Sequence, residues 1–88
     1  VFVHVDHAAD IDALREAALE AVRGHRLWDG RAAAMQVTDM TRDTLEVRVL
    51  MSARGGSEMF DLRCDVREAV VAALAKDQPQ ALVRARVM

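Results

Sequence analysis

One cysteine, one proline, one tryptophan, two phenylalanines and no tyrosine in 88 residues remove several classes of protein at the outset. Cys64 has no partner for an internal disulfide, which fits a reducing compartment such as the cytosol. Aromatics at 3% are too few for base-stacking platforms, and a net charge of −2 with a pI near 5.9 gives no basic footprint. Nucleic-acid binding is therefore disfavoured. No apolar run approaches the roughly 20 residues that span a bilayer, and no signal-peptide pattern opens the chain. The polypeptide by itself is expected to be soluble, with no direct membrane insertion. It starts at Val1 inside a strand pattern without an initiator Met, so residues 1–88 are expected to be one domain excised from something longer.

With 52% hydrophobic and 30% charged residues, the chain can build one small core. Val1, Val3 and Val5 alternate with Phe2 and His4, as in a strand. Asp10 is placed to cap a helix over residues 11–23, whose stripe is Ile11, Leu14, Ala18, Ala21 and Val22. Gly24 suits the end of that helix, where a left-handed residue is often needed. Residues 25–31 read as a loop with Asp29-Gly30 as its turn, and Trp28 as a plug at the end of the core. Residues 32–38 and 44–54 read as a hairpin. In its second strand Leu45, Val47, Val49, Met51 and Ala53 form a dry face opposite Glu46, Arg48, Leu50, Ser52 and Arg54. Gly55-Gly56-Ser57 breaks the strand and Ser57 is placed to cap a second helix. There Met59, Leu62, Val66, Val70 and Leu74 make the apolar stripe, widened by Phe60, Cys64 and Val71. Pro79 ends it, and residues 81–88 alternate as a fourth strand. The order β-α-β-β-α-β predicts an α+β, ferredoxin-like sandwich with both helices on one face of an antiparallel sheet.

Chemistry is sparse. His4 and His7 flank Asp6, the pattern of a rudimentary divalent-metal site, but no Cys or third His completes a ligand set, and a solvated strand end is the simpler reading. Asp29, Asp39 and Asp43 sit at turns for backbone reasons, and no carboxylate is placed in an apolar pocket suited to acid-base work. Gly55-Gly56-Ser57 lacks the lysine and glycine spacing of a phosphate loop. Cys64, on the apolar side of its helix, reads as a small buried hydrophobe. No nucleophile has a recognisable base. The residues alone indicate a non-enzymatic module with no catalytic, cofactor or metal site.

Three segments together resemble the C-terminal cytoplasmic α/β domain of small-conductance mechanosensitive (MscS-like) ion channels. They are the helix start at residues 7–15, the turn and strand from Trp28-Asp29-Gly30-Arg31 to Asp39, and above all Phe60-Asp61-Leu62-Arg63-Cys64-Asp65-Val66-Arg67-Glu68. The resemblance implies a cage building block on the cytoplasmic side of the inner membrane. In the parent, copies of the chain, usually seven, would line the cage beneath a tension-gated pore, and solutes would leave through openings during osmotic downshock. The missing β domain and membrane spans would be further partners. On that reading the interface candidates are Arg48, Leu50 and Ser52 on the wet sheet face and Arg63 and Arg67 on the second helix, with Trp28, Phe60 and Cys64 as structural anchors. Two other classes share the expected fold: a small-ligand regulatory module, and a metal-sensing cytoplasmic domain of a cation transporter, for which His4 and His7 would be the clue.

Overall fold

A computed structural model of the chain describes residues 1–82. In chain order it contains β1 (Phe2–Val5), α1 (Ile11–Arg23), β2 (Trp28–Met40), β3 (Leu45–Ala53), α2 (Gly56–Asp77) and a 3-10 turn, Pro79–Ala81. The strands form one antiparallel sheet in the order β1-β3-β2. The period-two pattern of β3 places Val47, Val49, Met51 and Ala53 in the core. Both helices cover this face, with Leu14, Ala18 and Val22 of α1 and Leu62, Val66, Val70 and Leu74 of α2 joining the same cluster. In β1, Val5 is fully buried while Phe2 and His4 face outward. The architecture is α+β.

Local chemistry explains the element ends. The Asp10 carboxylate accepts the Ala13 amide at 3.1 Å and caps α1. Gly24 closes that helix with φ −83°, so the left-handed geometry expected there is not used; its amide bonds back to the Glu20 carbonyl. Ser57 does not cap α2. The helix begins two residues earlier, at Gly56, with the extended Gly55 as its N-cap and no side-chain cap, so Ser57 already lies inside the first turn. Glu58 folds back instead, close enough that a Cβ on Gly55 would meet its Oε2 at 2.9 Å.

Two further expectations are corrected. Trp28 and the Asp29-Gly30 turn lie inside β2, because the chain bulges rather than loops between Trp28, opposite Ala53, and Ala33, opposite Met51. Gly30 takes φ +85°, a left-handed conformation that glycine adopts without strain. Phe60 and Val71 do not widen the buried stripe of α2: they are 66% and 46% exposed. Phe60 is thus no core anchor, and Cys64 is half-buried. Trp28 packs partly buried against the core, as an end plug would.

Of the fourth strand expected over residues 81–88, all beyond Leu82 lies outside the described residues. Ala81 belongs to the 3-10 turn, and Leu82 forms an antiparallel bridge with Val5. The bonded pair Val1–Val49 fixes which way the β1 amides point, so the Asp6 amide, bonded to the Ala81 carbonyl at 2.8 Å, marks the β1 edge away from β3.

One polar side chain ties the two halves together. Gln78 is 7% exposed; its Oε1 accepts the Asp10 amide at 2.6 Å and its Nε2 donates to the Asp10 carbonyl at 3.1 Å. The end of α2 is thereby fastened to the cap of α1. Gln78→Ala removes both bonds and is expected to cost about 1–3 kcal/mol, read by urea denaturation. In the same assay Leu62→Ala should cost about 2–5 kcal/mol, whereas Phe60→Ala should stay within about 0.5 kcal/mol of wild type.

Candidate interaction surface

The outer face of the sheet is the first of two uncovered surfaces. Register places Phe2 opposite Arg48, Arg48 opposite Gln36 and Leu50 opposite Ala34. Phe2 and Leu50 are 55% and 41% exposed, large apolar groups on a face that neither α1 nor α2 covers. Arg48 lies between them in the ladder. Its guanidinium donates to Gln36 Oε1 at 3.2 Å, but its Nε is buried with no hydrogen-bond partner among the described residues. Such a group is costly unless something supplies an acceptor.

The second surface is the flank of α2 on the β1 side. Phe60, Arg63, Arg67 and Val71 recur at three- and four-residue steps and share one side of the helix, all four exposed. The described ion pairs are Arg15–Asp12 and Arg31–Asp29, and His4 and His25 lie against the Glu46 and Asp65 carboxylates; Arg48, Arg63 and Arg67 take part in none of these contacts. The Val1 ammonium registers this cluster. Partial burial lowers its pKa first, and the fields of Arg63, Arg67 and Arg48 lower it further. The two surfaces meet at a groove of about 180 Å³ beside Val1, Phe2, Arg48, Leu50 and Arg63. The structure therefore brings together four of the five candidate interface residues, Arg48, Leu50, Arg63 and Arg67.

Ser52 goes elsewhere. Its hydroxyl donates to Asp29 Oδ1 at 2.5 Å and accepts the Ala32 amide at 2.8 Å, which pins the β2 bulge to β3. The Asp29 carboxylate also receives the Arg31 amide at 3.1 Å and the Arg31 Nε at 2.7 Å, and Trp28 Nε1 donates to the Ala32 carbonyl at 2.8 Å. Asp29 is thus more than a turn former; its neighbour Gly30 and the serine on the facing strand are the sequence signals of a bulge lock. The Ser52 hydrogen bond, followed by those of Arg31, holds the Asp29 carboxyl down from 3.8 to about 2, while desolvation opposes the shift.

His4 and His7 do not converge. His4 Nε2 lies 3.3 Å from Glu46 Oε2 on the outer sheet face, whereas His7 Nε2 bonds the Thr41 carbonyl at 2.9 Å. Among the described residues no group of three or more His, Cys, Asp or Glu side chains is placed to hold a metal ion. No helix among them is long and apolar enough to cross a membrane. His25, unremarked in the sequence, links α1 to α2: its Nδ1 accepts the Leu27 amide at 3.1 Å, so Nε2 carries the proton donated to Asp65 at 2.7 Å. No family model, curated protein or solved structure matches the chain.

The Asp29 lock sets a pH dependence. The folded carboxyl titrates below its unfolded value, so its stabilisation is present above about pH 4 and is lost as pH falls toward 2. Thermal unfolding of wild type and Asp29→Asn should differ most at pH 5–7, wild type being the more stable, and converge by about pH 2. A gap independent of pH would refute the assignment.

Proposed function

We propose that this domain is a non-catalytic assembly module, the cytoplasmic cage domain of a tension-gated mechanosensitive channel. The observation that carries the reading is the exposed α2 flank of Phe60, Arg63, Arg67 and Val71. The Phe60–Glu68 run that carries the resemblance divides between inside and outside: Leu62 and Val66 are in the core, while Phe60, Arg63 and Arg67 are turned outward with no ion-pair partner among the described residues. A large exposed phenylalanine beside unpaired arginines suits a face that another protein surface covers. Phe2 and Leu50 extend the same surface across the sheet.

The proposed fold is the full ferredoxin-like sandwich. The Val5–Leu82 bridge supports a fourth strand on the free edge of β1, which would give the order 4-1-3-2. In the parent, copies of the domain would surround an axis beneath the pore on the cytoplasmic side of the inner membrane, contacting one another and the preceding β domain. Solutes would leave between them.

Cross-linking in the full-length parent tests this. In a Cys64→Ala background, Phe60→Cys and Leu50→Cys should each give a cross-subunit product with a short thiol-reactive reagent. Both positions reacting only as isolated, solvent-exposed thiols in every subunit would dismiss the interface. A parent whose coding sequence carries no hydrophobic spans ahead of Val1 would dismiss the channel reading.

A further inference from the structure

The α2 flank formed by Phe60, Arg63, Arg67 and Val71 carries positive charge, set apart from Asp61, Asp65 and Glu68 around the same helix, and the outer side of α1, which carries Asp12, Glu16 and Glu20 with Arg15 and Arg23, lies across the molecule from it. α1 packs against β2, where Arg15 Nε reaches the Met35 carbonyl at 3.3 Å. α2 lies toward β1, where Arg63 joins Val1 and Phe2 in lining the small groove. Along the outer side of α1 runs a shallow, open groove formed by that helix and its cap alone, bordered by Asp12, Arg15, Glu16, Leu19, Glu20 and Arg23. Asp12 is paired with Arg15 at 2.9 Å. Glu16 and Glu20, one turn apart and exposed, take part in none of the described ion pairs, and half-buried Leu19 gives the groove an apolar element.

We propose that a second copy of this chain docks head to tail on the first: the α2 flank of one copy lies in the α1 groove of the next, with Arg63 and Arg67 facing Glu16 and Glu20 and Phe60 beside Leu19. The inference rests on the assembly reading above and names its contact. Charge complementarity selects the occupant. A two-fold contact centred on the Phe60, Arg63, Arg67 and Val71 flank would set the arginines of one copy against those of the other, a like-charge juxtaposition that disfavours association. Joining two unlike patches on opposite sides of one chain is a heterologous contact, which propagates and closes into a ring when the rotation permits. The apolar residues supply water exclusion and the charges supply register.

Charge reversal tests the pairing, because all four charged positions are exposed and their substitution leaves the core intact. Sedimentation velocity at low ionic strength compares wild type, Arg63→Glu with Arg67→Glu, Glu16→Arg with Glu20→Arg, and an equimolar mixture of the two double variants. Circular dichroism confirms that each is folded. Wild type should associate with increasing concentration, and each double variant alone should associate at least about tenfold more weakly. The mixture should regain association, because each reversed flank then meets a reversed groove. Wild type that stays monomeric to about 1 mM overturns the proposal, and so does a mixture that fails to recover. Association that neither variant weakens puts the contact elsewhere and overturns the head-to-tail pairing while leaving the cage reading standing. Recovery in the mixture with a parent that lacks membrane spans would do the reverse.

Discussion

Burial of Leu62, Val66, Val70 and Leu74 against the inner face of the sheet is the constraint on which the rest of the fold depends. All four are at most 2% exposed, and each such burial is worth about 1.5–3 kcal/mol. Steps of four residues advance about 40° beyond a full turn, so the buried line winds slowly around α2. Phe60, two residues from Leu62, lies about 200° away and must point outward once Leu62 points in. The core thus determines the surface: fixing the stripe exposes Phe60, Arg63, Arg67 and Val71 together.

Polar contacts then fasten what the apolar core brings near. Gln78 bonds both backbone groups of Asp10, joining the end of α2 to the start of α1. His25 and Asp65 join the other end of α1 to the middle of α2. Asp29, Ser52 and Arg31 close the β2 bulge. The Gln78–Asp10, His25–Asp65 and Ser52–Asp29 contacts each link residues distant in sequence, and Gln78 satisfies backbone groups that burial would otherwise leave at a cost. Asp65 shows that the charged side of α2 serves two ends, one carboxylate positioning a loop inside the chain while two arginines stay free of ion pairs within the described residues.

That division bears on how the surface acts. Arginines without ion-pair partners among the described residues and exposed apolar groups spread over a sheet face and a helix flank. Such breadth suits contact with another folded surface. Arg48, with a buried Nε lacking a partner, sits where the two surfaces meet.

Much of the fold is legible in the sequence because its signals are local and periodic. The alternation in β3, the stripe from Leu62 to Leu74 and the Asp10 cap each follow from a few neighbouring residues, and the structure keeps them. Arg48, Leu50, Arg63 and Arg67 could be picked out as surface candidates by the same periodicity. The helix start at Gly56 rather than Glu58, and the bulge that draws Trp28 into β2, were not legible, because both depend on how β3 delivers the chain to its neighbours. Nor were the outward turn of Phe60 and the partners of Ser52, Gln78 and His25, which lie 23, 68 and 40 residues away in the chain. By itself the sequence determined which side chains could share a face. Only tertiary packing decided which faces met and which polar groups found partners, since burial is won by the whole core at once and hydrogen bonds form where that core places the backbone.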